Sequence, residues 1–115
     1  MHRLDRQTSG IVFFAKSDVE SNNFREALLS DKVRKVYYAK VIGDFNLACK
    51  DGKTECDYSI YCDSHADAIM TCAPRDKIPL EHKSKAKDAK TLFKFVRYDG
   101  THSVVKCFPE TGRTH

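Results

Sequence analysis

The chain has 115 residues, the length of one small domain, and 41% of them are apolar, so a core is possible but buries only a modest share of the surface. Charged residues make up 31%, and 20 Lys and Arg against 16 Asp and Glu leave a formal charge of +4. That mild basic excess permits a polyanionic partner without demanding one. No apolar run is long enough to span a bilayer, and the polar start Met1-His2-Arg3-Leu4-Asp5 has no signal-peptide pattern. The cysteines, Cys49, Cys56, Cys62, Cys72 and Cys107, are odd in number. They read as reduced thiols of an intracellular protein rather than as a disulfide framework.

In chain order, Thr8-Ser9-Gly10 is turn chemistry, and Ile11-Val12-Phe13-Phe14-Ala15 predicts a buried strand. Ser17 or Asp18 then caps a helix over about residues 19–30, with Glu20 in its first turn and Val19, Phe24, Ala27 and Leu28 as its apolar face. The run from Lys35 to Gly43 predicts a second strand, rich in Val, Tyr and Ile. Residues 46–53 are polar and turn-rich. Asp57 to Cys62 and Ala68 to Ala73 predict two short strands around Asp63-Ser64-His65. The lysine-rich stretch from Lys77 to Lys90, with prolines at 74 and 79, predicts a mobile surface loop. Thr91 to Tyr98 alternates Leu92, Lys94 and Val96 against Phe93, Phe95 and Arg97. The Asp99-Gly100 turn joins it to a hairpin partner from Ser103 to Phe108, ended by Pro109. The sum is an α+β domain, a mostly antiparallel mixed sheet with one main helix.

The segment from His2 to Gly10 concentrates the chemistry. Asp5 stands between Arg3 and Arg6, just before a turn and the first predicted strand. Cationic neighbours favour the ionised form of a carboxylate, which suits a nucleophile or a base. Guanidinium groups also hold phosphates bidentately. On spacing alone, a surface loop with local salt bridges is the commoner outcome of such a pattern.

His2-Arg3-Leu4-Asp5 followed by Thr8-Ser9-Gly10 resembles the signature of the RluA-type RNA pseudouridine synthases. Lys35-x-Tyr37-x-Ala39-x-Val41-x-Gly43 is similar to that family's next block, Ala89-x-Thr91 with its apolar strand to the third, and the stretch from Pro109 to His115 to the last. The four blocks stand in order across essentially the whole chain. Gly43-Asp44-Phe45, Cys49 and the strand around Cys107 look most like the eukaryotic branch, which includes cytosolic and mitochondrial tRNA enzymes.

The resemblance implies a single partial catalytic domain over residues 1–115 that isomerises uridine to pseudouridine in tRNA or rRNA. It puts the catalytic aspartate on Asp5 and the active-site tyrosine on Tyr37, with Tyr38 pointing to the opposite face of the strand. It implies RNA contacts from Arg3, Arg6, Lys35 and Arg113, no cofactor, no metal, no membrane and a monomeric enzyme of cytoplasm or mitochondrion. The family's last block continues past the position of His115 to an arginine that pairs with the aspartate, so both ends read as interior to a longer protein. Without that partner Asp5 would lose a charge-assisted hydrogen bond worth about 1.5–3 kcal/mol.

Other readings are bland. The spacing contains no Cys-x-x-Cys and no His-x-x-x-His pair to suggest zinc. Cys72 and Cys107 read as small core residues. His65, His82 and His102 carry no readable role, and the lysines from Lys77 to Lys90 read as solvated. Two alternatives to an enzyme stand beside it: an inactive RNA-binding module, and a generic α+β interaction domain.

Overall fold

The computed structural model describes residues 3–30, 32–64 and 69–111. The chain falls into two compact units, Met1–Arg34 and Lys35–His115.

The first unit holds one helix, α1 (Asp18–Leu29). Ser17 caps it: the Glu20 backbone N–H donates to Ser17 Oγ at 3.2 Å, and the Glu20 carboxylate accepts from the Lys16 backbone N–H at 3.0 Å. Asp18 and Glu20 place negative charge at the positive end of the helix. Phe24, Ala27 and Leu28 are half-buried, but Val19 is exposed and no residue of α1 is fully buried. Ile11 to Ala15 is not a strand. Ile11 and Phe14 are 77% and 79% exposed. A strand exists through its ladder partner, and among its described residues this unit contains one helix and no strand. Phe13 instead packs on Phe24 of α1, with ring centroids 5.0 Å apart.

The second unit is a four-stranded antiparallel sheet with a separate hairpin. Its strands are β1 (Tyr37–Ile42), β2 (Lys53–Cys56), β3 (Ser59–Ser64), β4 (Ile69–Ala73), β5 (Thr91–Tyr98) and β6 (His102–Pro109). The sheet order is β1-β6-β5-β2, and β3 pairs with β4. The α+β architecture with antiparallel strands is as the sequence predicts. β2 is an addition: its four residues, Lys-Thr-Glu-Cys, are too short and polar to declare themselves without the partner β5.

The β5–β6 hairpin turns at Asp99. Its carboxylate accepts from the backbone N–H groups of His102 at 2.8 Å and Thr101 at 3.1 Å. These bonds hold the Asp99 carboxyl well below the usual carboxylate range, led by the His102 amide. Gly100 has φ +96°, a conformation that favours glycine. A bulge between Phe95 and Arg97 shifts the register, so Phe95 faces Val105 and Arg97 faces Val104. Arg97 thereby leaves the face of Phe93 and Phe95, where simple alternation had put it.

Core residues cluster where β6 meets its neighbours. Val105 is 1% exposed and Ser103 fully buried. Ser103 Oγ accepts from the Phe45 N–H at 2.8 Å and donates to the Gly43 carbonyl at 2.7 Å, fixing the 3-10 turn Phe45–Ala48 against β6. The stretch from Lys77 to Lys90 is more structured than its composition suggests. Pro74 and Pro79 precede a 3-10 turn (Arg75–Lys77) and a short helix α2 (Leu80–Lys83), where a fixed φ starts the turn and no N–H is needed. Ile78 and Ala89 are buried, and Lys87 exchanges backbone hydrogen bonds with Ile60 at 2.8 and 2.9 Å. His82 of α2 stacks on the buried Tyr61 ring at 5.1 Å, a packing role that its sequence position did not reveal.

Candidate active site

Asp5 sits at the first position of a turn. Its carbonyl accepts from the Thr8 N–H at 2.9 Å, with Arg6 and Gln7 at the exposed corner. Asp5 is half-buried, while Arg3 and Arg6 are exposed. The turn thus leaves Asp5 partly shielded between two exposed arginines. Gly10, two residues after the turn, has φ +151°, and nothing lies within 4 Å of where a Cβ would stand. Its backbone conformation, rather than crowding, is what favours glycine there.

Tyr37 opens β1 in the second unit. It is half-buried and lies opposite Cys107 of β6, which in turn faces Phe93 of β5, itself opposite Thr54 of β2. Tyr37, Cys107, Phe93 and Thr54 therefore form one row across one face of the sheet. Burial pushes the Cys107 thiol up, which disfavours the thiolate. Tyr38 is 65% exposed and points to the other face, opposite Lys106. The alternation of exposure runs back through Val36 to Lys35, which is half-buried, in step with Tyr37.

Asp5 belongs to the first unit and Tyr37 and Lys35 to the second. Arg113, His2 and the last four residues of the Pro109 to His115 block lie outside the described residues. Cys72 is exposed rather than a core residue, although it lies opposite buried Ile60 in the β3–β4 register. Among the described residues, Cys49, Cys56, Cys72 and Cys107 are free thiols. Among the described residues, no group of three or more His, Cys, Asp or Glu is placed to hold a metal ion, and no helix is long and apolar enough to cross a membrane.

What the sequence reading missed lies on the Tyr38 face. Lys53, Lys94 and Lys106 come into register there, and the Lys106 Nζ stands 5.8 Å from the centroid of the Tyr38 ring. No short motif links positions 53, 94 and 106; only strand register does.

An α+β domain of antiparallel strands, with an arginine-flanked aspartate turn ahead of them, has a close structural counterpart. The human RNA Pseudouridylate Synthase Domain Containing 4 superposes with a TM-score of 0.75 at 22% identity, over 99% of this chain and 42% of the other. The sequence model for RNA pseudouridylate synthase matches residues 1–115. The chain belongs to the RNA pseudouridylate synthase family. It is 34% identical, over its whole length, to rice RNA pseudouridine synthase 7, and 36% identical over 99% of its length to the yeast mitochondrial tRNA pseudouridine(32) synthase. It is 28% identical to the dual-specificity RNA pseudouridine synthase RluA of Vibrio cholerae, which bears out the RluA-type resemblance. The chain spans 28% and 22% of the length of the rice and yeast relatives.

Proposed function

We propose that this chain is part of the catalytic domain of an RNA pseudouridine synthase that isomerises uridine in tRNA or rRNA, with Asp5 as its catalytic carboxylate and Tyr37 as its active-site tyrosine. The observation that carries the reading is the half-buried Asp5, fixed at the head of a turn and flanked by exposed arginines, in a chain that matches the family from end to end.

In this reaction the bond between ribose C1′ and uracil N1 breaks, and a bond between C1′ and C5 forms. The proton leaves C5 and N1 gains one, so the base is isomerised with no net oxidation and no need of a metal or cofactor. Cleaving the glycosidic bond builds positive charge on the sugar, and an ionised carboxylate beside it stabilises that charge. Asp5 acts either by attack at C1′ or by taking a proton from the sugar; both require the carboxylate form. A tyrosine at Tyr37 assists removal of the C5 proton. The uridine must leave its stack to reach these groups, and Arg3, Arg6, Lys35 and Arg113 hold the flanking phosphates. The yeast relative is named as a mitochondrial tRNA enzyme, which supports tRNA as substrate and, of cytoplasm and mitochondrion, favours the mitochondrion. We take the working enzyme to be a monomer.

The test compares the protein containing this chain with its Asp5→Ala variant on tRNA and rRNA, scoring pseudouridine by mass spectrometry. Loss of product with RNA binding retained supports the assignment; undiminished product in the variant overturns it. Product formed by the 115-residue chain alone excludes the alternative of an inactive RNA-binding module.

A further inference from the structure

One row of side chains crosses all four strands on the face of the sheet away from Tyr37. Tyr38 faces Lys106, Lys106 faces Lys94, and Lys94 faces Lys53. With strands about 4.8 Å apart, the row is about 14 Å long. Like charges directly opposite one another on neighbouring strands destabilise a sheet, and here three ammonium groups stand in sequence.

The described carboxylates of this face are engaged elsewhere. None of the three lysines forms an ion pair among the described residues. Glu55, two residues from Lys53 and therefore on the same face, is drawn instead to the Lys90 Nζ at 3.2 Å, and Glu110 to the same Nζ at 3.4 Å. At the far edge Lys40 and Asp99 are paired with each other at 3.6 Å. These carboxylates thus pair at the margins of the face rather than along the central row.

Aromatic rings stand among the cations. Lys106 Nζ lies 5.8 Å from the Tyr38 centroid and 5.5 Å from that of Phe108, and Lys94 Nζ lies 5.2 Å from Phe108. Ring faces within about 6 Å attract an ammonium group and keep these lysines over the sheet surface. Tyr38 is 65% exposed, with its ring open to further stacking.

We propose that this face, built on Tyr38, Lys106, Lys94 and Lys53, binds a single-stranded stretch of RNA, on the opposite side of the sheet from Tyr37. The proposal rests on the reading of the chain as an RNA-modifying enzyme and adds a contact on the face of the sheet away from Tyr37. A row of cations interleaved with an exposed aromatic is the surface that single strands use, phosphates against the charges and a base on the ring. Charge alone would suit an acidic protein as well; the exposed Tyr38 ring beside the cations is what favours a nucleobase as the occupant.

The experiment measures anisotropy of fluorescein-labelled oligouridylate against the full protein, the Lys53→Gln/Lys94→Gln/Lys106→Gln variant and Tyr38→Ala, across a salt series, with polyglutamate of equal charge as a second ligand. The triple variant should bind at least tenfold more weakly at low salt, and its salt slope should fall by about 2, the amount expected for three phosphate contacts on a single strand. Tyr38→Ala should weaken RNA binding and leave polyglutamate unaffected. The triple variant should also melt no lower than wild type, since it relieves like-charge repulsion, which separates lost contacts from lost folding. Wild-type affinity and slope in the triple variant overturn this proposal and leave the enzymatic reading intact. No RNA binding by the wild-type protein sinks both. Equal loss of polyglutamate and RNA binding, with Tyr38→Ala silent, overturns the assignment to RNA in favour of an acidic partner.

Discussion

Tyr37 and Tyr38 are adjacent in β1 yet belong to opposite faces of the sheet: Tyr37 is half-buried opposite Cys107, and Tyr38 is exposed opposite Lys106. If Tyr37 is the tyrosine that assists proton removal from C5, losing its hydroxyl has a chemical cost that losing Tyr38's does not. Tyr37→Phe is expected to lower pseudouridine formation by about 10²–10⁴-fold, the usual worth of a general acid–base group. Tyr38→Phe should keep kcat close to wild type. Single-turnover assays on the same tRNA compare the two, and equal rates for both variants would count against Tyr37.

Ser103 is a structural hydroxyl. Both its hydrogen bonds, to the Phe45 N–H and the Gly43 carbonyl, are inaccessible to water at the Ser103 end. Ser103→Ala leaves these partners without a bond and should cost about 1–3 kcal/mol in urea unfolding, with an unchanged m-value.

Val105 and Val104 are neighbours of opposite fate. Val105 is 1% exposed at the centre of the sheet, whereas Val104 is half-buried on the lysine face opposite Lys40. Val105→Ala removes two methyl groups from a closed environment and should cost about 2–3 kcal/mol. Val104→Ala should cost about 1 kcal/mol or less, because solvent can fill the space. Thermal unfolding of the pair checks the contrast, and equal losses would mean that β6 is buried on both faces.

Asp99 gives a pH dependence of known sign. Its carboxyl is held below the unfolded value of about 3.9, so the stability it adds is present above that pH and is lost as pH falls through the folded-state value. D99N should therefore be less stable than wild type at pH 7, and the difference should shrink below about pH 3. Backbone amides of His102 and Thr101, rather than Lys40, contribute most of the shift. High salt should accordingly leave the difference largely in place. Melting temperatures at the two pH values, with and without added salt, measure both.

The parts of this fold that a reader of the sequence can find are those whose causes are local. Thr91 to Tyr98 is a strand from end to end because alternation and the Asp99-Gly100 turn both act within a few residues. Ser17 and Glu20 likewise mark the start of α1 by direct bonds between near neighbours. Ile11 to Ala15 misleads for the opposite reason: an apolar run states what could be a strand, while the ladder that makes one depends on distant residues. Arg97 changes face through a bulge that no residue type announces. The placement of Asp5 in a turn follows from its own neighbours. The lysine row became visible only when register brought together residues separated by up to half the chain.

The order of strands also sets an order of events. β5 and β6 are joined through a tight turn, whereas β1 reaches β6 across a separation such as the 60 residues between Gly43 and Ser103. Closing so long a loop before its contacts form is entropically costly, so the hairpin should nucleate and β1 should dock late. Substitutions in β1 would then speed unfolding and hardly slow folding, and those in the hairpin would do the reverse. Tyr37 rides on the late strand, so the molecule acquires the tyrosine of its proposed active site only when the rest of its sheet is already in place.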